Sequence, residues 1–280
     1  MRQVGVAGIF RKTIVLFPLL FLAGYALAGA PVPRPDTGGP HTPQHQIASL
    51  GSFRFESGET IDDLRVSYVT RGRLSPAHDN AILALHACSG DHHQLDWLTG
   101  PGKALDTDKY YVVAPDFLGN QVLRSDLTTG PTNSGLKMRF PRITSRDWAN
   151  ADYKIVKEYL GIDHVFAVFG ESCGGIRAFQ LAVSHPEFAA SMIVLEGSPH
   201  TNPRTQLVLR HITRVIALDP GWYGGMYDVN PATGVVIAAM EFTPWLYSTG
   251  WYEKNLTTPQ SLRDFEAFWG RLWTLDARNT

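Results

Sequence analysis

Four short runs of uninterrupted apolar residues punctuate the chain. They are "AILALHA" at Ala81–Ala87, "YYVVAPD" at Tyr110–Asp116, "HVFAVFG" at His164–Gly170 and "SMIVLEG" at Ser191–Gly197. β-Branched runs without polar alternation predict strands buried on both faces, as in a parallel sheet. Ahead of them, Ser52–Phe55 and Leu64–Val69 alternate apolar with polar and predict an antiparallel pair around the turn Ser57-Gly58-Glu59. Helical spacing fills the gaps. Ser145–Leu160 ends at Gly161, a C-cap residue, and Cys173–Ser184 stops before His185-Pro186. Strand alternating with helix predicts a doubly wound α/β architecture, in which sites form at the carboxyl ends of the strands.

After residue 200 the pattern becomes helical throughout. Asn202-Pro203, Asn230-Pro231 and Thr258-Pro259 each offer an N-cap followed by proline at the first helical position. The starts are 28 residues apart, and "NPRTQLV" resembles "NPATGVV". A solenoid needs more copies and stronger similarity, so the region reads as a helical cap. Its Trp222, Tyr223, Trp245, Tyr247, Trp251, Tyr252, Phe265, Phe268, Trp269 and Trp273 either line an apolar cavity or pack helix against helix.

The N-terminus is different again. Arg2, Arg11 and Lys12 precede an apolar run from Thr13 to Ala28, with small residues at Ala26-Leu27-Ala28 and Ala28-Gly29-Ala30. Those 16 residues are short for a span of about 20, and they contain Pro18. The segment predicts a signal peptide at 1–30, hence a periplasmic or secreted protein without a stable membrane span after cleavage. The Pro-, Gly- and Thr-rich stretch at 31–48 reads as a linker, 49–201 as an α/β core and 202–280 as the cap. Cleavage would move the net charge from −1 to −4, because three cations and no acids leave. No basic patch points to nucleic acid. Only two cysteines occur, Cys88 and Cys173, so the chain is not a disulfide scaffold.

The chemistry concentrates in "AVFGESCGGIRAF", Ala167–Phe179. Gly170-Glu171-Ser172-Cys173-Gly174 is a G-x-S-x-G pattern between a strand and a helix, the arrangement of a nucleophile elbow. The glycines let strand and helix pass close to Ser172, and the turn lifts its hydroxyl above the sheet edge. The Cys173 N–H then faces a developing oxyanion at a helix N-terminus. The second donor belongs to the loop after the first apolar strand, "LHACSGDHH". There the Cys88 N–H, beside the Ser89-Gly90 turn, is the candidate. The loop also carries His86, Asp91, His92 and His93. Adjacent histidines on an extended chain point apart, and no carboxylate or cysteine cluster sits at ligand spacing, so neither metal nor cofactor is expected.

Taken together, "LHACSGDHH…DWLTGPGKALDTDKYYVVAPDFLGN", "GPTNSG" and "FPRITSRDWANADYKIVKEYLGIDHVFAVFGESCGG" resemble the homoserine O-acetyltransferase family of α/β-hydrolase-fold enzymes. "ALDPGWYGGMY", Ala217–Tyr227, continues the likeness, which covers about residues 49–280. The resemblance implies a mostly parallel sheet flanked by helices with a helical cap, Ser172 as nucleophile, and Cys88 and Cys173 as oxyanion donors. The chain departs from the family at the elbow, which there reads "GGSMGG". The family's substrate-binding arginine has only a displaced counterpart in Arg214. One helical position is about 100° of rotation. Acetyl-CoA is also a cytoplasmic donor. Hydrolysis of an ester, thioester or amide therefore stands ahead of acetyl transfer to homoserine, with a small acyl compound as the partner and a homodimer compatible with the chain.

A serine nucleophile needs a histidine base and an orienting acid. The fold's order is serine, acid, histidine. No strand-like run follows Gly197, so the last two strands, the acid and the base are expected beyond Thr280. That would leave the Ser191–Glu196 strand as an exposed apolar edge. Inside the chain the alternatives are Glu196 as acid and His200 or His211 as base, with Asp276 close to the end. A chain lacking its triad would be a catalytically impaired binding protein. Two donors of one oxyanion hole also place the Cys88 and Cys173 Cα atoms roughly 5–7 Å apart, within disulfide reach. The plainer reading is two small buried residues; the alternative is a bond between them, whose formation by oxidation would act on the hole as a switch.

Overall fold

The computed structural model describes residues 45–88, 90–119 and 128–278, the last nine of these by helical backbone alone. The expected signal peptide, most of the linker and Ser89 lie outside these residues. The described residues fall in the unit Gly38–Thr280.

Six strands form the main sheet: β1 (Gln46–Ser49), β4 (Arg65–Arg71), β6 (Tyr111–Pro115), β5 (Ala81–Leu85), β7 (Ala167–Glu171) and β8 (Met192–Leu195), in that spatial order. β6, β5, β7 and β8 run parallel, while β4 pairs antiparallel with both β1 and β6. All four continuous apolar runs are strands. Their lack of alternation has a direct cause. Leu83 and Leu85 enter the core on one face with Val113 and Val168, and Ile82 and Ala84 enter the other with Val112 and Phe169.

The two faces are covered differently. On the first lie α1 (Ser145–Tyr153) and α2 (Cys173–Ser184), which contribute Ala149, Ala178 and Leu181 to the core. On the second, among the described residues, Leu95 and Leu105 reach down from the turns of 91–106. α1 starts at a capping box, in which Thr144 accepts from the Asp147 N–H and Asp147 from the Thr144 N–H. The other Asp147 oxygen accepts from the Glu56 N–H at 2.9 Å, tying the helix to the turn of residues 55–59. This is the physical content of the "ITSRD" segment. α1 runs on as a π-helical turn over Lys154–Tyr159 and stops at Gly161, whose φ is 69°.

Two sequence expectations are corrected. The turn at Ser57-Gly58 joins β2 (Phe53–Arg54) to β3 (Thr60–Ile61), a separate small hairpin. Arg65–Arg71 instead pairs with Gln46–Ser49, so the segment read as the end of a linker is a sheet strand. Hairpin signals are local, whereas the main sheet's edge is chosen by burial of Ala48, Val66 and Tyr68.

The C-terminal region is helical as expected: α3 (Pro203–Ala217), α4 (Ala232–Phe242), α5 (Thr249–Asn255) and α6 (Pro259–Arg278). Asn202 caps α3 by accepting from the Thr205 N–H at 3.0 Å, and Thr258 caps α6 through the Ser261 N–H at 3.1 Å. At α4 the expectation shifts by one residue. Pro231 itself occupies the cap position, and no side chain caps that helix. The Asp219 carboxylate does related work, accepting from the Gly221 and Gly234 N–H groups at 2.7 Å each. Those bonds hold its carboxyl pKa below the usual carboxylate range. Several cap aromatics meet one another. Tyr247 stacks on Trp251 at 4.0 Å, and Tyr252 and Phe265 meet edge to face at 5.8 Å. The Trp273 side chain lies outside the described residues. β8 forms one edge of the sheet, with Ile193 49% exposed. Among the described residues no helix is long and apolar enough to cross a membrane.

Candidate active site

β7 turns into α2 at a single residue. Ser172 sits at φ 52°, ψ −112°, a conformation a side chain adopts only when its surroundings enforce it. Packing supplies the enforcement. A Cβ on Gly170 would lie 2.3 Å from Gly174 O, and one on Gly174 would lie 2.0 Å from Leu85 O. Strand and helix therefore cross with no room for a methyl group. The Ser172 N–H is tied to Leu195 O at 2.8 Å, anchoring the turn to the end of β8. Ser172 thus stands at the carboxyl edge of the sheet and at the N-terminus of α2, where the partial charge is positive.

β5 delivers the second half. Leu85 is in register with Gly170, so the loop leaving β5 emerges beside the elbow. Cys88 and Cys173 are disulfide-bonded, with Cα atoms 5.3 Å apart. The separation falls in the disulfide range of roughly 5–7 Å expected from the sequence. Among the described residues neither the Cys88 nor the Cys173 N–H has an acceptor.

Beneath the loop lies a buried polar network around Asp116, at the end of β6. Its carboxylate accepts from the His92 N–H at 2.8 Å and from the Ser67 hydroxyl, faces His92 Nδ1 at 2.9 Å, and lies 3.4 Å from His86 Nε2. Burial opposes its ionisation, but the hydrogen bonds and charges of His86 and His92 outweigh burial and hold its carboxyl well below the usual range. His86 is 1% exposed, with Nδ1 at 2.7 Å from Ala87 O. It braces the loop from below. Beside it Arg177 of α2 donates to both Asp152 oxygens and, at 3.3 Å, to Asp116 O, with its guanidinium 4.2 Å over the Phe117 ring.

The other sequence candidates are not brought to Ser172 by any bond. His200 and His211 are exposed, as is Arg214 on α3. Glu196 follows β8 at φ 55° and is exposed. Asp276 lies where only the backbone is described. Among the described residues the Ser172 hydroxyl has no hydrogen-bond partner, so no described histidine is placed to take its proton.

A carboxylate that the pattern hides is Glu171, the variable residue of the elbow. Among the described residues its Oε2 is buried without a hydrogen-bond partner, and burial together with the nearby Glu196 charge raises its pKa above the ordinary 4.5. An acid whose folded value exceeds its unfolded one keeps its proton longer in the folded state. Stability therefore falls as pH rises through the window above 4.5. Glu171→Gln is expected to flatten that fall, measured as urea-unfolding stability between about pH 4.5 and 7. An unchanged slope would place the pH dependence elsewhere.

The adjacent histidines were expected to diverge. They converge instead, because His92 and His93 lie in successive turns, with Gln94 N–H bonded to Asp91 O and Asp96 N–H to His93 O. Their ring centroids are 4.7 Å apart.

Known proteins agree with this geometry. The family model described as alpha/beta hydrolase fold matches residues 80–273. A homoserine O-acetyltransferase of Leptospira biflexa is 34% identical over 214 residues, covering 70% of this chain and 56% of that protein. The chain spans about half the length of the curated relatives it matches. Among solved structures, homoserine O-acetyltransferase from Bacillus anthracis superposes with a TM-score of 0.74 at 27% identity, covering 84% of this chain and 75% of that one. A variant of esterase E22 gives a TM-score of 0.75 at 26% identity, covering 85% and 74%. The match over residues 80–273, which spans the strand–turn–helix elbow at Ser172 and the loop at Cys88, establishes that the chain belongs to the alpha/beta hydrolase fold family.

Proposed function

We propose that the chain carries out serine-dependent acyl chemistry, with Ser172 attacking an acyl carbonyl and the Cys88 and Cys173 N–H groups receiving the oxyanion. The observation that carries this reading is the strained Ser172 backbone, held at the sheet edge within a disulfide's length of the donor loop. Strain of this kind costs about 1–3 kcal/mol and persists where it presents a reacting group.

Hydrolysis is favoured over transfer from acetyl-CoA. Arg214, the counterpart of a substrate arginine, is exposed on α3. The disulfide and the N-terminal signal pattern both suit an oxidising compartment outside the cytoplasm. The relatives named as acetyltransferases and the neighbour named as an esterase are compatible with one acyl-enzyme intermediate that differs in its acceptor.

A serine-reactive fluorophosphonate probe tests the reading. One label per chain, lost in Ser172→Ala, is expected. The reaction should be slow without a histidine at Ser172, and added imidazole should accelerate it by acting as a diffusible base. Folded wild-type protein that stays unlabelled with imidazole present would overturn it in favour of a binding role. Release of acetate from a simple ester, compared with acetyl-CoA turnover on homoserine, separates hydrolase from transferase.

A further inference from the structure

His45, one residue before β1, stands against the loop that carries Cys88. Its Nδ1 lies 3.2 Å from His92 Nε2, and its Nε2 lies 2.8 Å from His93 Nε2. One ring nitrogen from each of the three falls within 4.8 Å of the others. His92 and His93 are buried and His45 is half-buried.

The outer partners matter as much as the rings. His92 turns Nδ1 to Asp116 at 2.9 Å, and His93 turns Nδ1 to Asp96 at 3.0 Å, with Arg71 Nη2 farther from that nitrogen at 3.3 Å. A proton held on Nδ1 by a carboxylate leaves the Nε2 lone pair aimed inward, the arrangement found behind metal-bound imidazoles. Asp96 is itself fixed by Arg71 at 2.6 Å, and its backbone oxygen accepts from Lys103 Nζ at 2.9 Å. Asp91 adds a third carboxylate beside the pair, so among the described residues carboxylates outnumber the cations Arg71 and Lys103 around the rings.

We propose that His45, His92 and His93 form a site for a divalent first-row transition ion, zinc being the natural probe, with a fourth position open to water. Bonds of ~2.0–2.1 Å in a tetrahedral shell bring ligand nitrogens to about 3.4 Å from one another. The rings reach this by small rotations about their side-chain bonds. All-nitrogen imidazole donors suit zinc, copper, nickel or cobalt and not calcium or magnesium. A bound ion would fasten the start of β1 to the segment behind Cys88, and so steady the donor loop from the side opposite the disulfide.

Untagged full-length chain, stripped with a chelator and dialysed, is titrated with Co²⁺ and then with Zn²⁺. One Co²⁺ per chain is expected, with the visible bands of a four- or five-coordinate ion, displaced by Zn²⁺, and Zn²⁺ should raise the melting temperature. Asp96→Asn should weaken binding by ~10–100-fold, and His45→Ala by at least that much. His211→Ala, on the exposed face of α3, should bind as wild type does. His92→Ala removes a buried ring and is informative only if circular dichroism shows it folded, so His45→Ala carries the test. Folded wild type that takes up less than one Co²⁺ per chain, or a His45→Ala chain that binds like wild type, overturns the proposal and leaves the three rings as a hydrogen-bonded clamp.

Discussion

Gly174→Ala is expected to cost at least ~3 kcal/mol of stability, the upper end of what overpacking does, and in a marginal chain to prevent folding. The added Cβ would lie 2.0 Å from Leu85 O, 2.6 Å from Leu85 C and 2.7 Å from His86 O. All three are backbone atoms of β5 and the residue after it. No rotamer change relieves the clash, and the start of α2 would have to retreat by about the missing ångström. That retreat would separate Cys173 from the Cys88 loop and loosen the Leu85–Gly170 register. Gly250→Ala is the control. Nothing lies within 4 Å of a Cβ there, and it sits in α5, where alanine is the better helix former. Urea denaturation of both variants measures the contrast. A Gly174→Ala chain as stable as wild type would show that strand and helix do not cross this closely.

The second large effect concerns Arg177 and Asp152, 0% and 1% exposed. Burial alone pushes the Asp152 carboxyl up, and Arg177 opposes it. Asp152→Ala leaves a guanidinium in the core with Phe117 and Asp116 O as its remaining partners, at an expected cost of ~3–5 kcal/mol. The double change Arg177→Met with Asp152→Leu removes both charges at similar volume. It is expected to recover most of that loss, because two buried ions seldom repay their desolvation in full. Equilibrium unfolding of the single and double variants decides the matter. If Asp152→Ala falls within ~0.5 kcal/mol of wild type, Arg177 finds water and is not sealed in.

Different parts of the chain were legible for different reasons. α2 runs from Cys173 to Ser184 as its punctuation predicts, because a glycine-rich turn and a histidine–proline stop act within a few residues. β5, β6 and β7 announce themselves because each is buried on both faces, and β8 carries the same apolar run although it lies at the edge. The partner of Arg65–Arg71 could not be read this way. It is decided by Gln46–Ser49, with the local turn at Ser57-Gly58 pointing to the wrong mate. The strand–turn–helix elbow around Ser172 was legible from its spacing, and the Cys88–Cys173 approach from placing both at the ends of neighbouring parallel strands. The histidine cluster was not, because it needs a turn to bring His92 and His93 to the same side and a third ring 47 residues away. Glu171 was hidden by occupying a position at which the elbow pattern accepts any residue.

The Cys88–Cys173 bond joins points 85 residues apart in sequence. In topological terms it turns the segment containing β6, α1 and β7 into a closed ring, with the elbow and the donor loop at its single seam. The N-terminal strands β1 and β4 and the helices α3 to α6 hang from that ring as two tails. Either tail can open in a partial unfolding event without letting the two sides of the seam drift apart. The ring also shortens the disordered chain's reach, so Cys88 and Cys173 remain near neighbours after the sheet around them has come undone.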